Sequence, residues 1–324
     1  MAASPLPLHQ RLRHKLEWWT LSTLLNGLQR GTLAQSLART RRLARLAMPL
    51  LASSRHWAEC NLQLVYGPNL TAPQRQRLIT LAFENIFLSH IEALRASEIH
   101  FQATDFTPLQ QAMAYDRGIL ACSMHLGAWE PGLVQMARQP LPLTVLYRHA
   151  NNPHVEALFG QIRQQNGLHM VRRDHPRPTL QAVKDKQMVG LMVDINTLHH
   201  GVAAPFMGVV AQHPPGPIKL ARKFAAPLLP MVAVRTAPGV AKLIIQPPIM
   251  AQPDESDSQL MTRVVASLEP YILEYAEQYN WLHGRWRARP DGTVWNRYTP
   301  LTEILKARTT PYLTPSPRVL ELIA

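Results

Sequence analysis

Apolar positions along this chain follow two rhythms. From Pro73 to Arg95 they recur at helical spacing, with Leu78, Leu81, Ala82, Ile86 and Phe87 on one face. Beyond residue 100 the pattern breaks into short apolar runs that read as buried strands: Gly118–Met124, Leu143–Tyr147, Met188–Val193, Leu229–Val234 and Lys242–Gln246. Helical patterns lie between them near 130–138, 153–166, 177–186 and 216–225. Such alternation predicts an α/β fold, a largely parallel mixed sheet covered by helices. Functional side chains are expected just past the carboxyl ends of the strands. His125 follows the run ending at Met124, Arg148 follows Tyr147, and Asp194 follows Val193.

The first 56 residues differ from the rest. They hold Arg11, Arg13, Lys15, Arg30, Arg39, Arg41, Arg42, Arg45 and Arg55 against the single acid Glu17, interleaved with Leu, Ala and Trp. An interfacial helix needs this mixture, because its apolar face enters the acyl boundary while its cations meet anionic headgroups. A soluble amphipathic helix with a solvated basic face would carry the same pattern. Three regions follow: basic amphipathic membrane-docking helices over 1–60, one α/β body over 61–300, and a tail over 301–324. The tail is broken by Pro311, Pro315 and Pro317 and is expected to be draped or loosely ordered. No stretch reaches the roughly 18 apolar residues of a spanning helix. The N-terminus lacks the apolar core and cleavage site of a secretory leader. The expectation is a chain of cytoplasmic origin docked on a membrane.

Composition narrows the function. A net charge of +13 favours a polyanionic partner: nucleic acid, anionic lipid or a phosphorylated substrate. No nucleic-acid-binding fingerprint is present, and the cations gather with Leu and Trp at one end, which suits lipid better. Cys60 and Cys122 stand far apart with no zinc-ligand spacing, so buried free thiols are expected and no metal or bound cofactor.

The segment His125-Leu126-Gly127-Ala128-Trp129-Glu130 concentrates the chemistry. In an uninterrupted helix, residues five apart point about 140° away from each other. His125 and Glu130 can converge if His125 ends a strand, Gly127 turns the chain, and Glu130 opens a helix, where the dipole favours a carboxylate. That would give a histidine base supported by an acid, fit to deprotonate an alcohol as it attacks a thioester. Of the 14 histidines, His100 and His169 also have an acid five residues on, but neither sits at a strand end with a glycine turn.

This segment resembles the His-x-x-x-x-Asp/Glu signature of glycerolipid acyltransferases, and most of all its His-Phe-Gly-Asn-Trp-Glu form in the bacterial lipid A lauroyl/myristoyl acyltransferase family. Tyr147-Arg148, Asn152-Pro153, Asp194, Gly201 to Gly208, Gly216 to Ala221 and Glu277 to Trp286 resemble further blocks of that family, in its order. The resemblance implies a glycerolipid-acyltransferase-like fold and an acyl chain moved from acyl carrier protein or acyl-CoA to a hydroxyl of a glycolipid acceptor. It places the protein at the cytoplasmic face of the bacterial inner membrane, on an anionic surface. It implies His125 as base and Glu130 as its acid partner. Arg148, Asp194 and Gly127 form the substrate-binding set: Arg148 holds a phosphate or the developing oxyanion, Asp194 orients Arg148 or binds acceptor hydroxyls, and Gly127 permits the turn. A structural ion pair for Arg148 and a cap for Asp194 are the bland alternatives. Trp129 is expected to pack, as are Trp281, His283 and Arg285. A cationic face around Arg222, Lys223 and Arg172 could meet an acidic carrier. Ala128, His149 and Ile195 replace the family's asparagine, proline and glutamine, which leaves lysophospholipid or aminolipid acceptors open.

Overall fold

The computed structural model describes residues 7–324; residues 1–6 of the expected docking region lie outside the described residues. Four helices open the chain: α1 (Leu8–Gln29), α2 (Leu33–Ala47), α3 (Ala52–Tyr66) and α4 (Ala72–Leu94). Capping boxes start α2 and α4, where Thr32 and Thr71 accept from the backbone of Gln35 and Gln74 and satisfy amides that would otherwise lack partners. α1 buries His14, Leu25 and Leu28 and leaves Leu8, Leu12, Leu16 and Trp19 exposed. That spacing of four, four and three makes one apolar stripe. α2 is held on α4 by Arg45, whose Nε lies 2.5 Å from the buried Glu84 carboxylate, with Arg41 at 3.9 Å. α3 runs straight across residue 60 and sends Leu62, Val65 and Tyr66 into the main core, so the basic region and the body share a helix.

The α4 pattern is shifted from its expected face. Leu78, Ile79, Ala82 and Phe83 are buried, whereas Leu81, Ile86 and Phe87 are only partly so. The cause is polar. Glu84, Asn85, Ser89 and Glu92 are buried on the same helix because they have partners elsewhere.

The body alternates as expected: β1 (His100–Phe101), α5 (Thr107–Met113), β2 (Ile119–Ser123), α6 (Trp129–Ala137), β3 (Leu143–Tyr147), α7 (Pro153–Gln165), β4 (His169–Arg172), α8 (Pro176–Lys184) and β5 (Met188–Met192). Then come β6 (Val202–Phe206), β7 (Val209–His213), α9 (Gly216–Phe224), β8 (Leu228–Ala237), β9 (Val240–Ile245), α10 (Asp257–Ala266) and α11 (Glu269–Glu274). The seven-stranded sheet has the order β1-β9-β8-β2-β5-β3-β4, and every neighbouring pair is parallel except β8–β9. Central β2 is buried at all five residues, which explains its unbroken apolar run. β6 and β7 form a separate antiparallel hairpin, turned at Met207 and Gly208, both with positive φ.

The tail is draped and pinned. It forms α12 (Leu301–Leu305) and α13 (Pro317–Ile323), buries Ile304, Val319 and Ile323, and ties Arg318 to Glu277 at 2.7 Å. Both cysteines are buried free thiols.

Candidate active site

β2 and β5 are neighbours, and their register pairs Ser123 with Met192. His125 and Asp194 each lie two residues further on, so the sheet itself brings them side by side. The His125 Nδ1 is 2.9 Å from Asp194 Oδ1, and the His125 backbone N–H donates to Asp194 Oδ2 at 2.9 Å. Both carboxylate oxygens are therefore engaged by one residue. The Asp194 side chain is 2% exposed but that of His125 is 29% exposed, so the ring faces outward from a buried anion. With Nδ1–H donated to the carboxylate, the neutral ring carries its free lone pair on Nε2.

Burial of the ring acts to lower the His125 pKa. The charge and hydrogen bond of Asp194, with the charge of Glu130, outweigh it and hold His125 above its ordinary 6.5. For Asp194, burial acts upward, but His125 and the more distant Arg285 dominate and hold the carboxyl near 2.

Glu130 is in the first turn of α6 as expected, but it is not the hydrogen-bond partner of His125. Its Oε1 accepts from Arg163 Nη2 at 2.9 Å, and Arg163 lies beside the Tyr147 and Phe159 rings. The five-residue spacing starts α6 pointing Glu130 toward α7, while the strand register delivers Asp194 to the ring. Asp194 likewise does not orient Arg148, because its oxygens are taken. Arg148 is exposed and lines a groove beyond β3 and β5.

Gly127 turns the chain after His125. It has φ +63° and bridges to Ala233 of β8, and a Cβ there would lie 2.2 Å from the Ala233 carbonyl oxygen. Its conformational freedom and its missing side chain both serve the close backbone approach that turns the chain after His125. Gly127→Ala is expected to destabilise the fold by about 2 kcal/mol, read as a lower denaturant midpoint with an unchanged slope. Trp129 flanks the His125 ring edge-on, with centroids 5.5 Å apart.

Behind the site lies a buried frame that sequence reading largely missed. Arg235 of β8 donates from Nε to Glu92 at 2.7 Å and from Nη2 to Ser89 Oγ at 2.7 Å, and Asn85 accepts from Nη1. Ser89 in turn donates to the Gly127 carbonyl at 2.8 Å. These residues carry no local motif; only the packing of α4 on β8 unites them. Arg285 is fully buried, donating to the Gln212 carbonyl at 2.9 Å and contacting the His213 ring. Burial and the Arg285 charge push His213 down to about 3, so it is neutral. Trp281 packs as expected, its indole N–H on the Ala276 carbonyl at 2.7 Å. His283 does more than pack: it lines the groove and accepts from the Asn196 N–H at 3.2 Å. The suggested carrier-binding cations are largely committed, Arg222 to Asp257 at 2.7 Å and Arg172 to Asp174 at 2.6 Å.

Similarity to known proteins gives the chain its family. The family model described as bacterial lipid A biosynthesis acyltransferase matches residues 9–288. The chain belongs to that family. It is an acyltransferase, and its relatives include the lipid A biosynthesis palmitoleoyltransferase of Escherichia coli, 27% identical over 78% of this chain and 84% of that one. The lauroyltransferase of E. coli is 27% identical over 79% and 86%, and an acyltransferase of Haemophilus influenzae 27% over 72% and 76%. Among solved structures, the 1-acyl-sn-glycerophosphate acyltransferase PlsC of Thermotoga maritima covers 71% of this chain and 94% of its own, at 11% identity and TM-score 0.34. That likeness is too low to bear on mechanism. No helix of this acyltransferase is long and apolar enough to cross a membrane among the described residues.

Proposed function

We propose that this acyltransferase moves a fatty acyl chain directly from a thioester donor, acyl carrier protein or acyl-CoA, to a hydroxyl of a lipid A precursor or related glycolipid. The observation that carries the mechanism is the His125–Asp194 contact, which leaves Nε2 of a partly exposed ring free to act as base. Nε2 takes the proton of the acceptor hydroxyl as its oxygen attacks the thioester carbonyl. The tetrahedral intermediate then collapses, the C–S bond breaks, and the imidazolium returns the proton to the departing thiolate. Asp194 holds the ring and stabilises the imidazolium. Glu130 supports His125 through its charge and holds Arg163 at 2.9 Å beside the site.

Rapid quench with radiolabelled donor and no acceptor tests this order of events. Direct transfer leaves no label on protein, and Glu130→Gln slows turnover while leaving donor binding nearly intact. A stoichiometric acyl-protein adduct, lost in Glu130→Gln and chased into product by acceptor, would overturn it.

The exposed stripe on α1 supports docking on an anionic cytoplasmic membrane surface, with Leu46 of α2 and Leu50 just beyond it also exposed. Reversing Arg41 and Arg45 would also break their pairs with buried Glu84, so the apolar stripe is the cleaner target. Leu12→Ser, Leu16→Ser and Trp19→Ser together are expected to move the protein from the membrane to the soluble fraction. Retention of the triple variant on anionic vesicles at high salt would remove α1 from the attachment.

A further inference from the structure

A groove of 730 Å³ opens beyond the carboxyl ends of β3 and β5, next to the Asp194–Asn196 loop that holds His125. Its floor is apolar, built in part from Leu146, Leu191 and Ile195. Its rim carries the guanidinium groups of Arg148, Arg173 and Arg287. None of the three is in an ion pair among the described residues. The one carboxylate in the lining, Asp174, is already bound at both oxygens by Arg172, at 3.1 and 2.6 Å. Arg287 is set in place without being neutralised: it stacks on Trp57 at 5.5 Å and donates Nε to the Trp295 carbonyl at 3.0 Å.

The edge of the groove at Asn196, two residues past Asp194, is fixed. Asn196 donates its backbone N–H to His283 Nε2 at 3.2 Å, and its side-chain oxygen accepts from the Ala288 N–H at 3.1 Å. Because it accepts the Asn196 N–H, His283 is neutral here, and desolvation with the charges of Arg285, His125 and Arg287 lowers it to about 4. An apolar trough close to a base and rimmed by unneutralised guanidinium groups suits a ligand with an uncharged stem and a phosphate.

Two substrates must meet at His125, and the groove takes no residue from α1, α2 or α4, the helices that carry and support the apolar stripe. The groove and the apolar stripe therefore share no residues, which leaves the groove to the donor if the acceptor arrives along the stripe. We propose that the groove seats the 4′-phosphopantetheine arm of the acyl donor, with its phosphate on Arg148, Arg173 and Arg287 and its thioester directed at His125. This rests on the thioester-donor reading above and assigns that donor a place. Acyl carrier protein and coenzyme A share this arm, so either source would use the same groove.

The test compares acyl-4′-phosphopantetheine with acyl-pantetheine as donors, in wild-type protein and in Arg148→Ala, Arg173→Ala and Arg287→Met. The wild type is expected to show a donor KM at least about tenfold lower for the phosphorylated arm, as one or two charge-assisted hydrogen bonds supply. The variants are expected to lose most of that preference while the acceptor KM stays within about twofold. Calorimetric titration with 4′-phosphopantetheine alone needs no turnover. If no acyl transfer occurs but the arm binds and the variants weaken it, the transfer reading fails and the groove assignment stands. Equal use of both donors with no calorimetric binding would overturn the assignment. So would variants that raise the acceptor KM instead, because the groove would then hold an acceptor phosphate. Loss confined to a carrier-protein donor, with acyl-CoA and the free arm unaffected, would also overturn it, since the rim would then read the carrier's acidic surface.

Discussion

Replacing His125 with Ala is expected to lower turnover by about two to four orders of magnitude, the range a general base contributes. The ring is 29% exposed in its side chain and its Nδ1 is held by a carboxylate, so the loss falls on proton transfer rather than on folding. The variant would leave Asp194 buried without its imidazole partner, and some loss of stability is expected with it. Circular dichroism and vesicle binding should nonetheless match the wild type. Near-normal turnover in a folded His125→Ala protein would remove the residue from the mechanism, and another group would have to accept the hydroxyl proton.

Asp194→Asn is expected to cost a comparable factor, up to about 10⁴, by the logic of a buried carboxylate that fixes the tautomer of its histidine and stabilises the imidazolium. The asparagine keeps the shape but offers either an amide oxygen or an amide N–H to Nδ1, and it carries no charge. The pH profile separates this role from simple packing. His125 must be neutral to act as base, and Asp194 and Glu130 hold its pKa above the ordinary 6.5. The rate of the wild type should therefore rise with pH through an inflection above 6.5. In Asp194→Asn the carboxylate that favours imidazolium is gone, and the residual activity should show its inflection at lower pH. The two groups also tie stability to pH in opposite senses. The raised His125 pKa contributes stability below its ordinary 6.5 that is lost as pH rises through the raised value. The depressed Asp194 pKa contributes stability above its ordinary 3.8 that is lost as pH falls toward 2. An Asp194→Asn variant with an unshifted inflection and near-normal rate would show that the carboxylate only packs.

The comparison of Glu130 with Asp194 shows where sequence reading reached its limit. Local periodicity carried the strand–turn–helix reading of residues 118–138, because a buried strand, a glycine at φ +63° and a helix start are set by neighbours in the chain. It placed His125 past β2 and Glu130 in the first turn of α6, as the structure has them. It also placed Arg148 and Asp194 past their strands. It could not say which strand ends lie together. β5 inserts between β2 and β3 although it follows both in sequence, and that order, with the Ser123–Met192 register, makes Asp194 rather than Glu130 the partner of His125. Arg163 had no strand-end position to mark it, since it projects from the last turn of α7.

The sequence by itself determined the element types, the glycine turn, the basic and apolar character of the first 56 residues and the family, because propensity, periodicity and motif are properties of adjacent residues. Tertiary structure alone decided the pairing of charges that are distant in sequence. Whether an arginine is neutralised, as Arg222 is by Asp257 and Arg235 by Glu92, or left free at a groove, as Arg148, Arg173 and Arg287 are, depends on carboxylates far away in the chain. Coulomb attraction acts over distances in space, and only the folded chain sets those distances.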